Sequence, residues 1–97
     1  MPKGYMLSAH RSLADAEKAD AYRALARPAM EAMGGRILAA TSNVVAKENG
    51  LAERTVLIEF ESMEAAIAAY ESAAYQEALT VLSGGANRDI RLFEGLE

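Results

Sequence analysis

The sequence contains no cysteine and a single histidine. Without thiols there is no disulfide, no zinc–thiolate site and no cysteine nucleophile. One imidazole, with no HxxxH or HExxH spacing, does not make a structural transition-metal site. Paired Asp-x-Asp, GxSxG and glycine-rich phosphate loops are also missing, so neither metal nor cofactor is expected. Proline is scarce, at 2 residues, and punctuation is confined to Gly34-Gly35, Asn49-Gly50 and Gly84-Gly85. No linker, repeat or low-complexity tract divides the chain, which reads as one domain over residues 1–97. No apolar run approaches the ~18–20 residues of a membrane span, and the opening residues do not read as a signal peptide. A basic excess is lacking too: 10 Lys and Arg stand against 14 Asp and Glu, a net charge of −4. That balance argues against nucleic acid and against an anionic membrane surface as partners. Together these absences fit a cytoplasmic protein.

What is present is a chain 52% hydrophobic and 25% charged, too apolar for a disordered tail. Alanine supplies much of that fraction, so a core of small side chains is expected. Tyr5–His10 reads as a first strand. Ala14–Met33 reads as a helix, with Tyr22, Leu25, Ala26, Ala29 and Met33 on one face of a 3.6-residue period. Asp15 and Glu17 suit the positive end of its dipole, and Gly34 its C′ position. Pro28 cannot donate to the Ala24 carbonyl, which predicts a kink or two helical pieces. Arg36–Ala46 reads as a second strand, Lys47–Gly50 as a turn and Arg54–Phe60 as the strongest strand. Ser62 is a plausible N-cap, with Glu64 in the first turn of a helix whose stripe is Ile67, Tyr70 and Ala74. Ser72 opens a further segment carrying Tyr75, Leu79 and Leu82, which Gly84-Gly85 stops. Asp89–Glu94 is a last strand. The order β-α-β-β-α-β predicts an α+β, ferredoxin-like fold: a four-stranded antiparallel sheet with helices on one face.

Helices on one face leave the other open. Val56, Ile58 and Phe60 alternate with Thr55, Leu57 and Glu59, and Ile90 and Leu92 with Arg91 and Phe93. The more apolar set is assigned to the helices. The remaining face still carries Leu57, Phe93 and, on this reading, Met6. Such a face predicts a homodimer packed sheet on sheet, burying ~1,600 Å² or more; a half-polar solvated face is the alternative.

Few side chains stand out as chemistry. His10 titrates nearest neutrality, on the strand face shared with Met6 and Ser8. It is either an acid/base group in a sheet-lined pocket or a strand-end residue meeting water. Glu59, between Ile58 and Phe60, is either solvated or partnered by Arg36, Arg91 or a hydroxyl. Arg36, after the glycine pair, serves an anionic ligand or simply follows a cap. Tyr22, Tyr70 and Tyr75 read mostly as core or interface aromatics with hydroxyls seeking partners.

Tyr22, Pro28, Gly34-Gly35-Arg36, Arg54–Phe60, Ser62 with Ala65-Ala66, Tyr70-Glu71-Ser72, Tyr75-Gln76 and Glu94-Gly95 occur in an order that resembles the bacterial domain of unknown function 1330 family. The resemblance runs from about Lys3 to Gly95. It implies the dimeric α/β-barrel superfamily, which includes cofactor-independent monooxygenases and muconolactone isomerases, with ligands between sheet and helices or inside the barrel. The family itself has no settled activity. Tyr22, Arg36, Arg54, Glu59 and Tyr75 match its pattern. Met6 and Met33 stand where it often has aromatics, which implies a softer, roomier pocket. The expectation is a domain that binds a small hydrophobic or anionic metabolite through His10, Tyr22, Arg36, Arg54 and Glu59. The alternative is a cofactor-independent, monooxygenase- or isomerase-like enzyme acting on a carbonyl or phenolic metabolite. Under the enzyme reading, Arg36, Glu59 and a tyrosine meet in one enclosed cavity.

Overall fold

The structure is a computed structural model that describes residues 2–97. Its elements are β1 (Gly4–His10), α1 (Ala16–Ala32), β2 (Arg36–Thr41), β3 (Thr55–Phe60), α2 (Met63–Glu71), α3 (Ala73–Leu82) and β4 (Arg88–Glu94). The strands form one antiparallel sheet in the order β2-β3-β1-β4. This is the ferredoxin-like α+β architecture expected, with its second helical stretch divided in two. α3 packs along α1, while α2 lies against β1, β3 and β4.

Local chemistry explains most element ends. Asp15 caps α1 by accepting from the Lys18 N–H at 3.1 Å. Pro28 sits inside one continuous α1 rather than between two pieces. At its C-terminal end Gly34 takes φ +87°, the left-handed conformation glycine adopts freely. Gly35 is constrained instead by space: a Cβ there would lie 2.9 Å from the Met30 carbonyl oxygen and from the Phe60 ring. Ser62 caps α2 through the Ala65 N–H at 3.1 Å. Ser72 closes one helix and opens the next, donating to the Ala69 carbonyl at 2.8 Å and accepting from the Tyr75 N–H at 3.3 Å.

β2 is shorter than Arg36–Ala46. The Thr41 hydroxyl accepts from the Asn43 N–H at 2.9 Å, a local bond that competes with the ladder. Thr41 also faces Thr55, the first residue of β3, so the chain beyond has no strand to pair with. Val45 is accordingly 78% exposed. A β-bulge at Leu38 interrupts the register between Ile37 and Ala39. Ile37 and Ala40 thus share the helix-covered side, while Ala39 and Thr41 share the other.

The core follows the small-residue expectation. Ala26, Ala29, Ala66, Ala69 and Ala78 surround Met6, Met30, Ile58, Phe60 and Tyr75. Alanines bring the helices close to the sheet, and the long side chains fill what remains. Two helical stripes are corrected. In α1 the buried line is Ala19, Ala26, Ala29 and Met30, with Tyr22 partly buried, while Leu25 and Met33 are 39% and 40% exposed. In α2 the buried residues are Ala66 and Ala69, and Ile67 is exposed. The restart of the helix at Ser72 takes Ala74 out of phase with Ile67. Met6 is corrected as well: it pairs with Ile58 and Leu92 on the helix-covered side and is buried.

Candidate functional site

Antiparallel register arranges the sheet in cross-strand rows. On the helix-covered face the row of Gly4, Phe60 and Glu94 at one end is followed by Ile37, Ile58, Met6 and Leu92. The next is Ala40, Val56, Ser8 and Ile90. The last joins His10 to Arg88, with the His10 N–H donating to the Arg54 carbonyl at 2.9 Å. From the Met6 row onward the face therefore passes from apolar, through one hydroxyl, to cationic.

A cavity of about 120 Å³ lies between this face and α1. Met6, Ile37, Val56 and Ile58 form its sheet wall, and Ala19, Tyr22, Ala26 and Met30 its helix wall. Ser8, His10, Arg23, Arg27, Arg54 and Arg88 supply its polar lining. His10, Ala19, Arg23 and Arg54 also border a wider hollow of about 460 Å³, which Ser12, Leu13 and Glu53 line as well.

Tyr22, Tyr75 and Arg88 form one network on this cavity. The Tyr22 and Tyr75 hydroxyl oxygens are 2.7 Å apart, and Arg88 Nη1 donates to the Tyr22 oxygen at 3.1 Å. The Arg88 guanidinium also lies 4.9 Å from the Tyr22 ring centroid. Proton accounting orients the pair. Tyr75 is fully buried, and among the described residues its hydroxyl has only the Tyr22 oxygen as acceptor. Tyr75 therefore donates to Tyr22, which accepts from both Tyr75 and Arg88. The Tyr22 proton is left to donate, and Tyr22 lines the cavity.

Electrostatics agree with that order. Burial, and then the Tyr22 hydroxyl, push the Tyr75 phenol well above its usual range, so it stays a neutral donor. Burial works against the Arg88 cation, but the Tyr22 and Tyr75 oxygens more than offset it and the net shift is upward. His10 is lowered, first by burial and then by Arg88, Arg54 and Arg23, with Glu53 opposing. Arg23 pairs with Asp20 and Arg27 with Glu31. Among the described residues Arg54 and Arg88 have no carboxylate partner. Ser8 is 4% exposed, and its hydroxyl has no hydrogen-bond partner among the described residues. A buried polar group left unpaired costs about 1–3 kcal/mol.

The five residues expected to form one site are thus divided. His10, Tyr22 and Arg54 meet at the cavity. Arg36 and Glu59 lie on the opposite face, because strand alternation places them in a row with Tyr5 and Phe93. There Arg36 Nη2 lies 3.4 Å from Glu59 Oε1, and the Tyr5 hydroxyl donates to Oε2 at 3.2 Å. Tyr5 stacks on Phe93 at 5.6 Å. Glu59 therefore has both the basic and the hydroxyl partner that its apolar strand demands, while Arg91 pairs with Asp89. The convergence that the enzyme reading required of Arg36, Glu59 and a tyrosine in one enclosed cavity is not present. Sequence reasoning missed Arg88 and the unpaired Ser8 hydroxyl. A signal for Arg88 existed: it shares the parity of Ile90 and Leu92, an arginine in step with the apolar face. Met6 lines the cavity and Met33 does not.

Fold and cavity together define a ferredoxin-like α+β protein with a cation-lined pocket between sheet and helix. The chain belongs to the family described as domain of unknown function (DUF1330), which matches residues 3–96. No curated protein matches the chain. Among solved structures, it is similar to the RPA0582 protein of unknown function from Rhodopseudomonas palustris. That likeness has a TM-score of 0.73 and 17% identity over 99% of this chain and 84% of that one. A conserved protein from Methanosarcina mazei Go1 has a TM-score of 0.60 and 16% identity, over 98% of this chain and 94% of the other. SnoaB, a cofactor-independent oxygenase from Streptomyces nogalater, has a TM-score of 0.58 and 15% identity, over 99% and 93%. Among the described residues no helix is long and apolar enough to cross a membrane.

Proposed function

We propose that this domain binds a small metabolite with an apolar body and an anionic head in the cavity between α1 and the sheet. The observation that carries the reading is the pairing of an apolar chamber with Arg54 and Arg88, two guanidinium groups without carboxylate partners, in a chain of net charge −4. The head would meet Arg54, Arg88 and the Tyr22 hydroxyl, a charge-assisted set. The body would rest on Met6, Met30, Val56 and Ile58. An apolar cavity of ~150 Å³ accepts benzene, so this chamber of about 120 Å³, bordered by a wider hollow, suits one ring or a short chain. Thermal-shift titration with benzoate and related single-ring acids tests it. A ligand at a hundredfold excess over its Kd stabilises by ~2.7 kcal/mol. Arg88→Met should cut the benzoate shift to about half or less, and Arg36→Ala should leave it intact. Equal shifts in wild type and Arg88→Met would refute the assignment.

A second reading, catalysis without a cofactor, is favoured by His10. Its lowered proton affinity leaves it a neutral proton acceptor near pH 7, beside the Tyr22–Arg88 donors that would stabilise an oxyanion. The fold's likeness to SnoaB supports the same direction. His10→Gln would separate the readings: binding should survive, and any turnover of a bound carbonyl or phenolic compound should vanish.

We also propose that the open face, with Tyr5, Leu7, Leu57 and Phe93 around the Arg36–Glu59 pair, joins two copies of the chain. Sedimentation equilibrium at micromolar concentration should return twice 10.4 kDa; a single-chain mass would sink the dimer.

A further inference from the structure

The binding reading says where an anionic head sits; the Ser8 row says what the rest of the ligand carries. We propose that Ser8 is a specificity-determining residue, selecting ring acids with a second hydrogen-bonding group para or meta to the carboxylate. The inference rests on the anionic-head reading above. Ser8 is the one hydroxyl in the middle row of the covered sheet face, between the apolar Met6 row and the cationic His10–Arg88 row. Its neighbours across the strands, Val56 and Ile90, offer no side-chain partner, and its hydroxyl is buried and unpaired on the cavity wall. Native interiors rarely leave such a group unmatched, and a ligand hydroxyl or carbonyl would match it.

The strand rows suggest the pose from which this pattern follows. Residues two apart on a strand are separated by roughly 6.7 Å, so Ser8 lies one such step deeper than the layer holding His10 and Arg88. In the proposed pose the carboxylate sits at Arg88 and Tyr22 and the far side of a six-membered ring is turned toward Ser8, which lines the same cavity. An ortho substituent stays beside the carboxylate and cannot reach that layer.

Isothermal titration calorimetry on the full chain tests this with benzoate, 4-hydroxybenzoate, 3-hydroxybenzoate, 2-hydroxybenzoate and 4-methylbenzoate. One net hydrogen bond corresponds to roughly a 3- to 10-fold gain in affinity. Wild type should bind 4- or 3-hydroxybenzoate that much more tightly than benzoate. 2-Hydroxybenzoate and 4-methylbenzoate, the latter filling a similar volume without a hydroxyl, should show no such gain. In Ser8→Ala the preference for the hydroxyl should fall to about one. A wild type without the hydroxyl preference, or a Ser8→Ala variant that keeps it, overturns the role of Ser8. In either case benzoate binding that weakens at least tenfold in Arg88→Met leaves the anionic-head reading standing. If no acid binds wild type, both fall together. The five acids compared on wild type alone keep the proposal refutable even if the variant folds poorly.

Discussion

The two faces of this sheet are built from the same strands and solve opposite problems. On the helix-covered face, the row Ile37–Ile58–Met6–Leu92 is apolar, and cations enter only at its far end, two of them without carboxylates. On the open face, Arg36, Glu59, Tyr5 and Phe93 form a row in which each of the two Glu59 oxygens has a partner and the aromatic rings stack. One face keeps charge in reserve; the other has neutralised it. Whether a charged residue is satisfied by its own chain separates a place for a ligand from a place for structure.

The comparison can be broken most forcefully from the covered side. Tyr75→Ala removes a fully buried ring that Tyr22 and Tyr70 contact and should cost about 3–5 kcal/mol in urea denaturation, as large-to-small core substitutions do. A loss below about 1 kcal/mol would show that the aromatic cluster is not the centre of the core. Next in size is Arg88→Met, which should weaken benzoate binding at least tenfold, in line with ~1.5–3 kcal/mol for a charged hydrogen bond. Calorimetry on that variant reads this directly.

Protonation gives a smaller, signed effect. The His10 pKa is lower in the folded chain than in the unfolded one, so the unfolded state binds more protons between the two values. The associated stability is present above about pH 6.5, the unfolded value, and is lost as pH falls below it. Urea midpoints measured from pH 7.5 downward should therefore decline less in His10→Gln than in wild type. A bound carboxylate acts the other way, since it favours imidazolium, and should shrink the wild-type decline. Parallel pH profiles for wild type and His10→Gln would remove His10 from the account.

The smallest effect is expected from the open face. Arg36→Ala removes a partner of Glu59, but the Arg36 side chain is already 74% exposed, so the pair is worth no more than about 1 kcal/mol to one chain. Its benzoate affinity should equal that of wild type. A Kd changed by tenfold would mean that the two faces communicate.

Much of the fold was legible because its signals are local. Ser62 and Ser72 announce their caps, Gly34 its left-handed turn and Thr55–Phe60 its strand, each within a few residues. What escaped depends on partners elsewhere in the chain. Tyr5-Met6-Leu7 is apolar throughout, so its alternation is silent, and only pairing with Ile58 and Leu92 turns Met6 inward. The end of β2 at Thr41 is set by where β3 begins. The site was half legible. His10, Tyr22 and Arg54 converge, but Tyr22 and Tyr75 are separated by 53 residues, and no spacing rule links them to Arg88. Arg36 and Glu59 read as site residues from their chemistry and from the family resemblance; one step of strand parity carries them to the other face.

The bulge at Leu38 bears on how this chain tolerates loss of a codon. Because Leu38 is the extra residue opposite β3, its removal would let Ile37 and Ala39 follow one another against Ile58 and Leu57, and every later residue of β2 would keep its face. Deleting Ala39 would achieve the same alignment with Leu38 in its place. Deleting Thr55, Val56 or Leu57 from β3, which is paired on both sides without an irregularity toward β1, would swap inward and outward residues on at least part of the strand. A single-residue deletion scan should therefore find a tolerant notch at residues 38–39 in a sheet otherwise intolerant of shortening, and natural length variation in this protein would be accommodated there first.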